Sequence, residues 1–312
     1  MARSRLKTHE QFSSLWALGG LRPRELFEEI WQRINRDDVL GRSGQLAYSF
    51  FLAAFPLLLF LISIFGLLAS RGTALRTHLF DALAQALPPV AFQIVSETIR
   101  ETIHSSNYGK TVFGALFFLW SATSATVTMI AVLNAAYHVY ESRPWYKVRA
   151  IALCLTFCLC LLTIVALTLV LFGDQFAEFL GRRIGIGVLA ILAWKILQWC
   201  FAFMALSLSF SLIYYFGPDV REQHWYWITP GCVLGVSLWF ASSLGLRIYL
   251  HFFNNYSKTY GALGAVIILL LWFYVTGLAF LVGGETNAAI ENTAADRGHP
   301  EAKATGQRDI AA

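Results

Sequence analysis

Long apolar stretches alternate with short polar ones along most of the chain. An α-helix needs about 20 apolar residues to cross the ~30 Å hydrocarbon core of a bilayer. The stretches that meet this length lie at about 45–69, 112–137, 149–172, 192–216, 226–249 and 260–284. The pattern predicts an all-α polytopic membrane protein, with a bundle of six transmembrane helices over residues 44–290 and amphipathic interfacial helices beside it.

Residues 1–43 are predicted to form a cytoplasmic basic arm followed by an amphipathic helix. Proline is favoured at the first position of a helix, and Pro23 precedes apolar residues at helical spacing. These apolar residues are Leu26, Phe27, Ile30, Trp31 and Ile34. We expect the helix either to lie on the cytoplasmic headgroups or to dock on the bundle.

Two further polar segments complete the organisation. Residues 70–111 carry apolar stripes at helical spacing on both sides of Pro88-Pro89, which predicts an outside loop of two amphipathic helices. Residues 291–312 are rich in Ala, Gly, Arg and Asp, and we expect them to form a disordered cytoplasmic tail.

Composition supports membrane residence, and the charge distribution sets the orientation. The chain is 57% hydrophobic and 14% charged, whereas soluble domains carry about a quarter charged residues. Six spans place both termini on one side of the membrane. The polar segments on that side contain fourteen Lys and Arg residues, and those on the opposite side contain seven. The positive-inside rule therefore predicts cytoplasmic N- and C-termini. The net charge of +5 follows from this topology and requires no nucleic-acid partner.

Side chains that could perform chemistry are sparse. The seven histidines are dispersed, and no phosphate-binding glycine loop, nucleophile elbow or HExxH motif occurs. All five cysteines fall inside predicted spans. Cys154 and Cys158 share a helix face, for which we favour a small apolar role over a soft-metal site. The sequence predicts that the protein is not an enzyme and has no catalytic residue, cofactor or metal.

The first two spans contain several candidate functional residues. In the first, the candidates are Tyr48 and Pro56. Proline removes a backbone donor, so Pro56 predicts a kink that serves either packing or a hinge lining a cavity.

In the second span, small or hydroxylated residues recur at spacings of three and four. They are Ser121, Ser124, Thr128, Ala131, Ala135 and His138. This stripe predicts a helix–helix contact face, with cavity lining as the alternative. Asn134 lies beside the stripe, and we expect its amide to hydrogen-bond to a neighbouring helix.

Two basic candidates lie near the predicted outer ends of spans. Lys195 is expected to snorkel to the interface, or else to contact a substrate or headgroup together with Gln198. Arg247 either snorkels or pairs with a carboxylate such as Asp174 or Glu178, which we place in an outside loop.

The last apolar stretch is the most clearly bounded. A polar loop with Tyr260 and Gly261, followed by Gly264, leads into it, and it ends at Gly283-Gly284-Glu285-Thr286-Asn287. Gly277 and Gly284 lie on one helix face and predict tight packing against a neighbour, as does the Gly231–Gly235 spacing in the fifth span. We expect Glu285 to be a helix-end anchor near the cytoplasmic arginines, with Asn287 as a further candidate.

Several motifs resemble the YihY/BrkB family of bacterial inner-membrane proteins, formerly labelled ribonuclease BN-like. They are Leu46-Ala47-Tyr48-Ser49-Phe50-Phe51 with Phe55-Pro56-Leu57, Asn134-Ala135-Ala136-Tyr137 with Arg143, Tyr260-Gly261-Ala262-Leu263-Gly264-Ala265-Val266, and Gly284-Glu285-Thr286-Asn287-Ala288. The resemblance covers about residues 25–290. It implies six helices in the bacterial inner (plasma) membrane with both ends cytoplasmic, and association with virulence, serum resistance or envelope lipid movement.

Two functions are compatible with these features. The leading hypothesis is a transporter or lipid-translocating protein of the cell envelope, in which the first, second and last spans line a groove. Its partners are membrane lipids and a lipid or amphiphile substrate. The alternative is a non-transporting envelope assembly or structural factor that uses loop 70–111 as its partner surface. A homo-oligomer is left open, and ribonuclease activity is not expected.

Overall fold

A computed structural model describes residues 16, 18–69, 108–184, 188–220, 229–252 and 262–296. Within these ranges the chain is helical apart from short connections, and it contains no strand. A 3-10 helix at Leu18–Gly20 precedes α1 (Pro23–Arg36), α2 (Val39–Ala69), α3 (Tyr108–Ala136), α4 (Trp145–Ile184), α5 (Val188–Phe216), α6 (Pro230–Phe252) and α7 (Ala262–Asp296). The predicted all-α class is confirmed.

Among the described residues, five helices contain a segment long and apolar enough to cross a membrane. These segments are Val112–Ala136, Trp145–Ala166, Ile196–Phe216, Pro230–Tyr249 and Val266–Ala294. They agree with five of the six predicted spans. Helix α2 covers the remaining predicted span and is helical to Ala69. Its membrane crossing stays a prediction, because the side chains from residue 58 onward lie outside the described set.

Helix α1 docks on α7. The Glu25 side chain caps the first turn of α1, since its Oε2 accepts a hydrogen bond of 2.9 Å from the Arg22 N–H. Leu26 and Ile30 are 9% and 8% exposed. The bundle therefore covers part of the apolar face, which is the second of the two arrangements expected from the sequence.

Helix α4 extends beyond the predicted third span. It continues through Asp174 and Glu178 to Ile184, where we expected a solvated loop. No proline interrupts this segment, and Phe176, Phe179 and Leu180 keep helical spacing, so the helix propagates past the end of the apolar stretch.

Helix α7 also extends further than predicted. It passes through Gly283-Gly284 and ends at Asp296, so residues 291–296 of the expected disordered tail are helical. Close neighbours stabilise the glycine pair within the helix, as described below. At the other large polar segment, α3 already begins at Tyr108, and the remainder of the predicted loop helices lies outside the described residues.

The chain divides into two compact units, residues 1–47 with 126–312 and residues 48–125. Helix α7 lies at the centre of the larger unit and contacts α1, α2, α3, α5 and α6. The contacting pairs are Arg33–Glu285, Leu46–Gly277, Leu133–Gly284, Tyr214–Phe280 and Gly231–Gly283. Gly277 and Gly284 thus contact neighbours as predicted, although the two neighbours are different helices.

Helices α6 and α7 cross at glycines. A methyl group added at Gly231 would collide with the Gly283 carbonyl, and one at Gly235 would lie 3.1 Å from the Ala279 carbonyl. Small residues permit this close backbone approach, and the packing that results is one of the forces that associate helices in a membrane. The close crossing predicted from the Gly231–Gly235 spacing is confirmed.

Helix α3 packs on α4 through a face other than the predicted stripe. Thr126 and Thr156 share a hydrogen bond of 2.8 Å, and Ile130 packs with Ala152 and Leu155 in a buried cluster. The predicted stripe is half-buried at most of its positions and exposed at Ala131. The contact between α3 and α4 therefore does not use the stripe, whose role as a contact face for another helix or as a cavity lining stays a prediction.

Candidate functional site

Helix α7 is buried on every side at one end of the larger unit, which we call the polar end. This end is formed by α1, the connection 137–144 and the connection 217–220. Residues 281–290 are ten consecutive buried residues, whereas a helix that packs on one face alternates buried and exposed positions. The run places Glu285, Thr286 and Asn287 in the protein interior.

Glu285 faces Arg33 of α1. Arg33 Nη1 lies 3.8 Å from Glu285 Oε2, and the two side chains are 5% and 1% exposed. This distance exceeds a hydrogen bond, and among the described residues neither atom has a hydrogen-bond partner. Arg33 Nε donates instead to Glu29 Oε1 at 2.9 Å. The facing atoms of this buried ion pair therefore retain the capacity to bind another group.

His138 links the connection after α3 to the end of α1. Its Nε2 lies 3.5 Å from Asp37 Oδ2 and 3.2 Å from Arg36 Nη2. Burial lowers the pKa of His138; Asp37 opposes this shift, while Arg36, Arg33 and Arg42 add to it. The imidazole is consequently favoured in its neutral form, in which Nε2 can accept a hydrogen bond from the Arg36 guanidinium.

A second polar cluster joins the connection after α3 to the end of α5, and we call it the loop clasp. Arg143 Nε and Nη2 each donate to an oxygen of Glu141 at 2.7 Å, and Nη2 also donates to the Gly217 carbonyl at 2.8 Å. Asn134 donates to Glu141 Oε2 at 2.8 Å and accepts from the Asp219 N–H at 2.7 Å. Five residues thus fix the two connections to each other.

The electrostatics of the loop clasp favour fully charged partners. Burial raises the pKa of Glu141, but hydrogen bonds from Arg143 and Asn134 outweigh burial and hold the pKa below its ordinary value. Asn134 was expected to bond to a neighbouring helix. That prediction is wrong, because Asn134 lies in the last turn of α3 and reaches the connecting segments.

Asn287 caps helix α6. Its Oδ1 accepts a hydrogen bond from the Gly231 N–H at 2.9 Å, and Thr229 Oγ1 accepts one from the Cys232 N–H at 3.1 Å. The first N–H groups of a helix have no acceptor within the helix, and a side-chain oxygen can provide one. Asn287 supplies one from α7 and fixes the start of α6 against it.

Three sequence candidates therefore lie at the polar end, each with its own partners, namely Asn134, Glu285 and Asn287. Leu133, next to Asn134, contacts Gly284, next to Glu285. Glu285 lies near an arginine of the N-terminal segment, as expected. It lies in the interior of α7, however, and not at a helix end.

Four other candidates belong to the smaller unit. Tyr48 is exposed, and α2 is a continuous helix through the buried Pro56. Ser121 Oγ donates to the Leu52 carbonyl at 3.5 Å, and Ser124 Oγ donates within its own helix. The kink at Pro56 and the groove expected between these residues and the last span stay predictions.

The remaining candidates are scattered. Arg247 is exposed on α6, and Gly264 is buried near the start of α7. Lys195 lies in α5 with its side chain outside the described set, and Tyr260 and Gly261 lie outside the described residues altogether. The side chains of the suggested partners of Arg247 also lie outside that set, so its alternatives remain open.

The partners of the candidates were not predicted from the sequence. Arg33 follows Leu26 and Ile30 at spacings of seven and three. That spacing places it on the buried face, which was the available signal. Asp37, Glu141 and Asp219 carried no comparable local signal, because each is defined by contacts distant in sequence.

Within the described part of the chain, no group of three His, Cys, Asp or Glu side chains is placed to hold a metal ion. What the arrangement provides is a pair of opposite charges inside a membrane helix bundle. The Arg33 guanidinium and the Glu285 carboxyl group can bind to each other, or one of them can bind the charged group of a ligand. The carboxyl group can also bind a proton.

Comparison with known proteins gives a family match over most of the chain. The family described as "Virulence factor BrkB" matches residues 30–307. YfkH of Bacillus subtilis (strain 168), whose name describes it as ribonuclease-like, is 30% identical over 263 residues, covering 84% of this chain and 94% of YfkH. A UPF0761 membrane protein of Xanthomonas oryzae pv. oryzae (strain PXO99A) is 28% identical over 278 residues, covering 88% of this chain and 61% of that protein.

The UPF0761 membrane protein XAC0937 of Xanthomonas axonopodis pv. citri (strain 306) is 27% identical over 278 residues, again 88% of this chain, and 62% of that protein. The chain therefore spans about three-fifths of the length of these Xanthomonas relatives. No solved structure gives a significant match.

Proposed function

The chain belongs to the virulence factor BrkB family, and we propose that it is a transporter that moves a lipid or other amphiphile with an ionic headgroup across the bacterial inner membrane. The observation that supports this most directly is the Arg33–Glu285 pair, because its carboxyl group, Glu285, lies inside the segment Val266–Ala294. Ionisable side chains within spans are costly, and by default they indicate a substrate or ion pathway.

The geometry of the pair indicates that Arg33 and Glu285 can exchange each other for a ligand and are not held in a fixed contact. A buried ion pair offsets its desolvation only when the partners are well aligned and hydrogen-bonded. Arg33 and Glu285 face each other at 3.8 Å without such a bond, in contrast to the 2.7 Å bonds between Arg143 and Glu141. Arg33 is suited to bind a headgroup phosphate, and Glu285 is suited to bind an amine or a proton.

The orientation forms part of the proposal. The excess of Lys and Arg in residues 1–43 supports a cytoplasmic N-terminus, and six spans would then place the C-terminus on the same side. The polar end then faces the cytoplasm, and the Arg33–Glu285 pair is positioned to meet headgroups of the cytoplasmic leaflet.

The test is leaflet exchange in proteoliposomes that carry a headgroup-labelled phospholipid. The wild-type protein is expected to accelerate exchange, and Glu285→Gln is expected to slow it by about tenfold or more, since the amide keeps the shape but not the charge. Glu28→Gln is the matched control, because Glu28 is exposed and contacts Arg24 at 3.0 Å on the surface of α1. It should leave the rate within about twofold of wild type.

Two results would contradict the proposal. Unchanged leaflet distribution with folded wild-type protein would leave envelope assembly as the function to pursue, by deleting loop 70–111 and measuring the loss of crosslinks to partner proteins. Equal rates for the two variants would remove the Arg33–Glu285 pair from the mechanism. We propose no enzymatic activity; RNA degradation by purified protein, lost on substitution of specific residues, would overturn this.

A further inference from the structure

Helix α1 has a wider apolar face than the bundle covers. Leu26 and Ile30 are buried against the bundle, whereas Phe27 and Trp31 are 66% and 60% exposed. Successive residues of a helix are about 100° apart, so these two pairs lie on adjacent faces. Two large aromatic side chains therefore remain uncovered by the described residues, directly beside the docked face.

Two contacts place α1 at the depth of the ends of the spans. Arg33 pairs with Glu285, which lies within the apolar segment of α7. Asp37, the residue after α1, lies 3.5 Å from His138, in the connection that leads into the span starting at Trp145. The last turn of α1 is thus level with the region where hydrocarbon gives way to headgroups.

Other exposed side chains at the polar end have the chemistry of a membrane interface. Tyr140, Trp145 and Tyr146 are exposed on the connection after α3 and the first turn of α4. Exposed Trp and Tyr concentrate at headgroup depth because their rings are amphipathic. Arg24 lies one turn before Phe27 on the surface of α1 and is 89% exposed. An exposed arginine beside the interface is attracted to anionic lipid.

We propose that α1 is an interfacial helix held between the bundle and the surrounding bilayer. Its buried face binds α7, and Phe27 and Trp31 insert among the headgroups and upper acyl chains of anionic phospholipids. This arrangement joins the two placements expected from the sequence, which need not exclude each other. It does not depend on transport, and a protein without transport activity would still show it.

Spin-label accessibility tests the insertion. The full chain, with its five cysteines replaced by serine, receives a single nitroxide through Phe27→Cys, Trp31→Cys or the control Glu28→Cys, and is placed in nanodiscs that contain phosphatidylglycerol. Labels at 27 and 31 are expected to collide with oxygen in preference to a water-soluble nickel chelate, by about tenfold relative to position 28. Equal nickel accessibility at all three positions would overturn the proposal.

A second measurement covers the case in which the cysteine-free chain does not fold. A photoreactive phenylalanine analogue at position 31 of the otherwise native chain should crosslink to phospholipid on irradiation, and the same analogue at position 28 should not. Crosslinks from position 31 to a second copy of the chain, or to another protein in place of lipid, would overturn the proposal.

Discussion

Tyr214 of α5 donates a hydrogen bond of 2.6 Å to the backbone carbonyl of Phe280 in α7. The two rings are stacked, with their centroids 5.1 Å apart. Gly283 permits this approach, because a methyl group there would collide with Tyr214 Oη. The contact between α5 and α7 thus combines one hydroxyl, one ring stack and one glycine.

Tyr214→Phe should destabilise the protein by about 0.5–1.5 kcal/mol. The stacked ring remains, and the Phe280 carbonyl keeps the bond typical of a helix interior, so only the side-chain hydrogen bond is lost. Equilibrium unfolding in bicelles measures the change. Tyr146→Phe is the control, because Tyr146 is exposed; equal effects of the two substitutions would contradict the assignment.

Gly231→Ala and Gly245→Ala should shift stability in opposite directions within the same helix. A methyl group at Gly231 would collide with the Gly283 carbonyl and the Asn287 side chain, whereas one at Gly245 meets nothing within 4 Å. The first should cost about 1–3 kcal/mol. The second should stabilise α6 by up to about 1 kcal/mol, since alanine has the higher helix propensity. Unfolding of both variants, each compared with wild type, measures the contrast.

The stability of the protein should fall on the acid side of neutrality because of His138. Burial lowers the pKa of this imidazole in the folded protein, so the folded state binds fewer protons than the unfolded state. Its contribution is therefore fully present above the unfolded value of 6.5 and declines as pH falls from there through the folded pKa.

His138→Asn removes this titration, and asparagine tolerates the left-handed backbone at this position, where φ is 52°. The difference in free energy of unfolding between wild type and variant should be constant above pH 6.5. Below pH 6.5 the wild type should lose stability relative to the variant. Unfolding curves across this range provide the measurement. A difference that changes only on the alkaline side would show that His138 is not the responsible group.

Arg33→Met should destabilise the protein by about 3–5 kcal/mol, because it leaves Glu285 buried without its partner. Adding Glu285→Met should restore much of this loss, since a buried ion pair is often replaced by apolar residues at little cost. Leaflet exchange should stay low in the double variant. Additive stability losses would argue against direct coupling, and restored exchange would show that the pair serves folding alone.

The helices could be predicted from the sequence, but two of their ends could not. An apolar run of about 20 residues is a strong constraint, because every backbone polar group in the bilayer must be satisfied within a helix. Hydropathy marks where the membrane ends, however, and helical hydrogen bonding can continue beyond it. Helix α4 continues through Asp174, and α7 continues through Gly283-Gly284 to Asp296.

Only the residues that α7 contributes to the candidate site could be predicted from the sequence. Glu285 and Asn287 were identifiable because polar residues are conspicuous at the end of an apolar run. Their partners Arg33 and Gly231 lie far away in sequence, and no local pattern brings them together. Arg33 was the partial exception, since its helical spacing from Ile30 placed it on the docked face.

The central position of α7 has a consequence for biosynthesis. Glu285 leaves the ribosome about 250 residues after Arg33, a delay of roughly 12–50 s at ordinary translation rates. During that interval the N-terminal arginine lacks its carboxylate, and the glycines of α6 lack the helix they pack against. The larger unit therefore completes its assembly only when the helix at its centre arrives, so the earlier helices must wait in the membrane as an open intermediate.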